Sequence, residues 1–149
     1  MTTIERLWGR FELPVKDAIH HADGPSHDVV LDPGTPSGFT VLAPFDLEEL
    51  LADDPSRVSS VDGLVAADLG EEGLLWGGEG SYGSEGFIAR LTADRALMWA
   101  MFFVESNPFD RIRLSGSTAT FTSTSGCEIA VHLDDPRTPV PGPVSNRTA

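Results

Sequence analysis

Hydrophobic and polar positions alternate most clearly between Gly86 and Leu133. Runs of about seven to nine residues are separated there by turn residues, the spacing of antiparallel strands. Phe87, Ala89 and Leu91 alternate with Ile88 and Arg90, and Thr92-Ala-Asp-Arg95 supplies a turn. Ala96 to Val104 is apolar on both faces. Periodicity alone does not separate a buried strand from a buried helix, but the neighbouring short strands and the stop at Asn107-Pro108 favour a strand. Next, Ile112 and Leu114 oppose Arg111 and Arg113, and Ser115-Gly116 turns the chain. Ala119 and Phe121 alternate with Thr118, Thr120 and Thr122, a strong strand signature because threonine is β-branched. After Ser125-Gly126, Cys127, Ile129, Val131 and Leu133 share one face, with Glu128 and His132 opposite. The pattern predicts an antiparallel β-meander of about five strands with a wet face and a dry face.

The N-terminal half is less regular. Val29–Leu31, Phe39–Leu42, Leu64–Ala67 and Leu74–Trp76 read as extra short strands. Asp46 reads as the N-cap of a short helix whose Leu47, Leu50 and Leu51 form an apolar stripe, with Glu48 and Glu49 suited to the helix dipole. The expected class is mainly β (α+β), with one or two short helices packed on or beside the sheet. Residues 1–133 read as one globular domain. Residues 134–149 carry four prolines and little apolar bulk, and read as a frayed Pro-rich tail.

Charge changes the picture. Of 149 residues, 10 are Lys or Arg and 23 Asp or Glu, a formal net charge of −13. The first 22 residues and residues 86–149 each sum to zero, so the whole imbalance lies in residues 23–85, where Arg57 is the single base. Such a surface repels nucleic acid and anionic membranes and steers a basic partner. The longest apolar run, Ala96 to Val104, is well short of the roughly 20 residues of a membrane-spanning helix. Met1-Thr-Thr-Ile-Glu-Arg6 lacks a basic segment leading into an apolar stretch, so a cytoplasmic location is expected.

Candidate chemistry is sparse. Gly78-x-Gly80-x-x-Gly83 matches a dinucleotide fingerprint in letters, but a strand pattern follows where a helix is needed, and Glu79 and Glu85 would repel phosphates. The loop reads as a connection between strands. His20, His21 and His27, with Asp23 and Asp28, form a weak metal candidate on an expected loop, without a spacing of defined mechanism. Cys127 shares the apolar face and lies on the opposite face from His132, so it reads as a small core residue. No cofactor is expected.

On the wet face, Arg111, Arg113, Glu128 and His132, with Arg90 beside them, could surround a pocket for a small ligand. That is the alternative reading, a ligand-binding or catalytic β domain. From Trp76 to Pro136 the chain carries Gly86-Phe87-Ile88, Leu97-x-Trp99, Ser106-Asn107-Pro108-Phe109, a Thr-Ala-Thr-Phe strand, and Cys127-Glu-Ile-Ala-Val-His-Leu133 followed by Asp-Asp-Pro136. In this it resembles small acidic bacterial toxin-immunity proteins, which implies a compact inhibitor that covers a toxin's active surface. The leading expectation is a non-enzymatic interaction module with a basic protein partner, contacted by Glu48, Glu49, Asp53, Asp54, Asp62, Asp68, Glu71 and Glu72.

Overall fold

A computed structural model describes residues 1–141. The chain opens with α1 (Thr3–Trp8), β1 (Glu12–Pro14), β2 (Ala18–His21), β3 (Ser26–Leu31) and β4 (Phe39–Phe45). Then come α2 (Leu47–Asp53), β5 (Val58–Ser60), β6 (Asp62–Asp68) and a single 3-10 turn at Gly70–Glu72. The remainder is β7 (Leu74–Glu79), β8 (Gly86–Leu91), β9 (Leu97–Phe103), β10 (Phe109–Ser115), β11 (Thr118–Ser123) and β12 (Glu128–His132). The fold is mainly β, with two short helices.

A seven-stranded sheet in the order β4-β3-β2-β9-β8-β7-β6 forms the middle of the molecule, and every neighbouring pair is antiparallel. Strand periodicity sends successive side chains to opposite faces. Phe87, Ala89, Ala100 and Phe102 therefore pack under Ile4, Leu7 and Trp8 of α1, Leu13 of β1 and Leu47 of α2. On the other face, Ile88, Trp99, Met101 and Phe103 pack against Phe109, Ala119, Phe121, Ile129 and Val131 of a three-stranded sheet, β10-β11-β12. Three layers thus enclose two apolar cores. Burial of each of the larger aliphatic and phenylalanine side chains stabilises the fold by about 1.5–3 kcal/mol.

Local signals account for the helix starts. Thr2 and Glu5 form a capping box, in which Thr2 N donates to Glu5 Oε1 at 2.9 Å and Glu5 N donates to Thr2 Oγ1 at 3.4 Å. Asp46 caps α2 as expected, its Oδ1 accepting from the Glu49 amide at 3.2 Å. Residues 96–104 contain β9, not a helix, and β9 is covered on both sides.

Four sequence expectations need correction. The five C-terminal strands all form, but they do not make one continuous meander, because β8 and β9 belong to the large sheet and β10–β12 to the small one. The break falls where Pro108 lacks a backbone N–H and Asn107 takes φ 67°. There the Asn107 amide donates to the Ser84 carbonyl at 2.8 Å, and the chain folds back over the apolar face of β9. Arg90 is not on the wet face. Its strand is central and covered on both sides, so its side chain lies buried between the sheets.

The His20–Asp28 stretch is not a free loop but a hairpin, with His20 opposite Ser26 and Ala18 opposite Asp28. Nor does the ordered body stop at Leu133. Pro136 is buried, and Asp135 is held by His21 and Arg137. The rest of the expected tail, 142–149, lies outside the described residues.

Candidate interaction surface

The eight carboxylates singled out from the sequence are all exposed. Among the described residues none of them forms an ion pair. Glu48, Glu49 and Asp53 ride on α2, and Asp54 is its C-cap residue. Glu48 Oε1 accepts from Thr3 Oγ1 at 3.1 Å, which fixes α2 against α1. Asp62 opens β6 opposite Glu79 of β7. Asp68 closes the same strand, and Glu71 and Glu72 occupy the 3-10 turn that follows. Asp62 and Asp68 stand about 20 Å apart at roughly 3.3 Å per strand residue. The acids thus form separate groups on α2 and at the two ends of β6, not one compact cluster.

The four residues of the alternative site are not brought together. Arg113 and Glu128 line one groove of about 620 Å³, with Thr118 and Thr120 between them. Arg111 lies 3.5 Å from Asp110 and reaches the Ser123 carbonyl at 3.4 Å instead. His132 Nδ1 accepts from the Asp134 amide at 3.2 Å. Neither lines that groove, so the expected four-residue pocket is not formed.

Of the three imidazoles of the hairpin, His21 and His27 share a face and His20 points away from both. His20 and His21 are consecutive in β2 and project to opposite faces. His20 is fully buried beside Phe45, its Nδ1 2.7 Å from Ser26 Oγ. Burial pushes its pKa down to about 3, so the ring is neutral. Among the described residues its Nε2 has no hydrogen-bond partner, so no third group there orients the ring as a catalytic base would require.

His21 Nε2 sits 3.0 Å from Asp135 Oδ1, and Arg137 Nη2 donates to Asp135 Oδ2 at 2.8 Å. The Arg137 guanidinium is the main cause holding the Asp135 carboxyl well below the usual carboxylate range. Burial, with Arg137 nearby, lowers His27. Among the described residues no group of three or more His, Cys, Asp or Glu side chains is placed to hold a metal ion. Burial raises the Cys127 thiol pKa, with Glu128 adding to it, the opposite of what an activated nucleophile needs.

One surface was missed by sequence reasoning. Trp8, Phe11 and Trp76 meet edge to face, with ring centroids 5.8 to 6.3 Å apart, at the open end of α1. With Leu74, Leu91 and Arg95 they line a cleft of about 560 Å³. Trp8 ends α1 and Phe11 lies in the turn beyond it, where the Phe11 amide donates to the Trp8 carbonyl at 2.8 Å, so no periodic signal in the sequence marks the pair.

Among the described residues no helix is long and apolar enough to cross a membrane. Comparison of the chain with models of known protein families, with curated proteins and with solved structures finds no match in any of the three.

Proposed function

We propose that this protein is a non-enzymatic, cytoplasmic interaction module that engages a basic protein partner through its acidic stretch, in the manner of a toxin-immunity inhibitor. One observation carries this reading. Eight exposed carboxylates along α2 and β6 have no ion-pair partner among the described residues. Carboxylates serving the fold would be paired or capped. Three of the eight serve the fold locally, Glu48 through Thr3, Asp54 through Ser56 and Asp68 through the Gly70 amide, and the other five are left to solvent.

Their spacing speaks to the size of the partner. Groups about 20 Å apart along one strand exceed the reach of a small ligand and match the dimension of a protein interface of roughly 800 Å² per side. Unpaired charges on such a rim accelerate encounter with an oppositely charged surface more than they deepen affinity.

The test is to recover the partner from the native host on the tagged chain, then to measure association rates between about 0.05 and 0.5 M salt. The rate should fall roughly tenfold or more across that range. Glu48→Lys, Glu49→Lys and Asp53→Lys together should slow association at low salt and flatten the salt dependence. A rate indifferent to both salt and charge reversal overturns the reading.

A further inference from the structure

We propose that the cleft between α1, β6 and β7 is a binding site for a small amphipathic anion, a flat apolar body bearing a carboxylate. The cleft adjoins one of the acidic groups assigned to the protein partner, since Ala66 in its lining and Asp68 lie on the same exposed face of β6. Three observations carry it.

The first is shape and wall chemistry. At about 560 Å³ the cleft falls within the range of roughly 300–1,000 Å³ typical of small-molecule sites. Its walls are Trp8, Phe11, Leu74, Trp76 and Leu91, an aromatic and aliphatic slot suited to a planar apolar group.

The second is the sign of the polar groups. The polar groups carried by the lining side chains are the indole N–H of Trp8, that of Trp76, whose edge packs over Gly63 of β6, and the guanidinium of Arg95. All are donors, and no lining side chain is an acceptor. Among the described residues none of the three donates a hydrogen bond, and Arg95 forms no ion pair. Asp94 precedes Arg95, and Asp68 pairs with Leu74 across the sheet, but neither carboxylate contacts the guanidinium. A donor-only rim over an apolar slot selects an anionic acceptor.

The third is backbone strain. Phe11 takes φ 55° and Arg95 φ 71°. Residues other than glycine adopt this region rarely, and such strain clusters at binding sites. Here it holds Phe11 half exposed against Trp76 and sets Arg95 on the hairpin turn at the mouth. The Phe11 carbonyl accepts from the Val61 amide at 2.9 Å, so the strained residue is anchored on the chain leading into β6.

The experiment uses the full chain with 2-naphthoate and its uncharged counterpart 2-naphthalenemethanol, by calorimetry and by NMR of the three indole N–H signals. Naphthoate should bind and move the Trp8 and Trp76 signals. Trp99, whose Nε1 donates to the Leu133 carbonyl at 3.1 Å in the interior, should stay put and act as the internal control. Arg95→Gln should weaken naphthoate about five-fold and leave the alcohol unchanged, as expected for loss of one exposed charge-assisted contact. Ala66→Leu, which narrows the cleft from the exposed face of β6, should weaken both ligands. Arg113→Gln, at the distant groove, should weaken neither. Equal binding of alcohol and naphthoate, an Arg95→Gln variant with unchanged naphthoate affinity, or shifts confined to Trp99 overturns the assignment, as does the absence of binding. None of these outcomes bears on the acidic surface, which is tested by salt and charge reversal.

Discussion

Arg90 Nη1 donates to the Leu133 carbonyl at 2.6 Å, tying the middle of the large sheet to the segment that leaves the small one. The same guanidinium reaches the Glu72 carbonyl through Nη2 at 2.9 Å and lies 3.3 Å from Asp134. One buried fork thus joins β8, the 3-10 turn and the end of β12. Arg90→Met should destabilise the protein by about 3 kcal/mol, since hydrogen bonds to a charged group contribute about 1.5–3 kcal/mol each and their loss strands the Glu72 carbonyl, while Leu133 keeps the Trp99 indole. Arg90→Lys should restore less than half of this, because a point ammonium cannot span both acceptors. Urea midpoints at constant slope provide the measurement.

His20 makes acid a denaturant for this fold. The native ring is neutral down to about pH 3, whereas the unfolded chain takes up a proton near pH 6.5. The group's stabilisation is therefore complete above pH 6.5 and is lost as pH falls toward 3. The limiting slope is about 1.4 kcal/mol per pH unit. A His20→Leu, Ser26→Ala double variant, which leaves no hydroxyl without a partner, should show a shallower stability profile between pH 6 and pH 4. Identical slopes for variant and wild type would contradict this.

Asp135 acts in a lower window. Its folded pKa is depressed, chiefly by Arg137, so its stabilisation is present above the ordinary carboxylate range and disappears as acid protonates it in the folded state. Asp135→Asn should cost about 1 kcal/mol at neutral pH, the modest figure reflecting partial exposure. The difference from wild type should begin to narrow as pH falls through the ordinary carboxylate range and be smaller at pH 2.5 than at pH 7. Chemical denaturation at pH 7 and pH 2.5 decides it.

The glycines of the false dinucleotide fingerprint should behave unequally. A Cβ at Gly78 would overlap the Asp62 carbonyl of the adjacent strand, and a sheet backbone cannot step aside. Gly78→Ala should lose 2 kcal/mol or more, at roughly the scale of core overpacking. At Gly83 a Cβ meets nothing within 4 Å and the backbone needs no positive φ. Gly83→Ala should fall within about 0.5 kcal/mol of wild type. Thermal melts of the two variants test the contrast, which a nucleotide-binding loop would not produce.

Much of the fold was legible because its signals are local. Asp46 before a leucine stripe, and Thr118 to Thr122 alternating with Ala119 and Phe121, specify their elements without tertiary help. What escaped depends on partners distant in sequence. The six residues of α1 are too few to display a period, and only Thr2 and Glu5 mark it. Arg90 looked solvent-facing by alternation, since nothing near it in the chain announces that β8 is covered twice. The polar letters His20-His21-Ala-Asp23 suggested a loop, yet β2 is wedged between β3 and β9. The acidic residues could be named from the chain, but not their division between α2 and the two ends of β6. Trp8, Phe11, Trp76 and Arg95 come from separate elements and form no motif.

The pairing of β2 with β9 has a consequence for synthesis. The Val104 amide donates to Asp17 Oδ1 at 2.7 Å across 87 residues, at the seam where these strands meet. While a ribosome is still making the intervening hairpins, β2 has β3 on one side and a bare row of amides and carbonyls on the other. At roughly 5–20 residues per second this nascent edge stays open for several seconds. Over that interval the open edge is a template for strand-to-strand pairing, which like charge on neighbouring copies opposes.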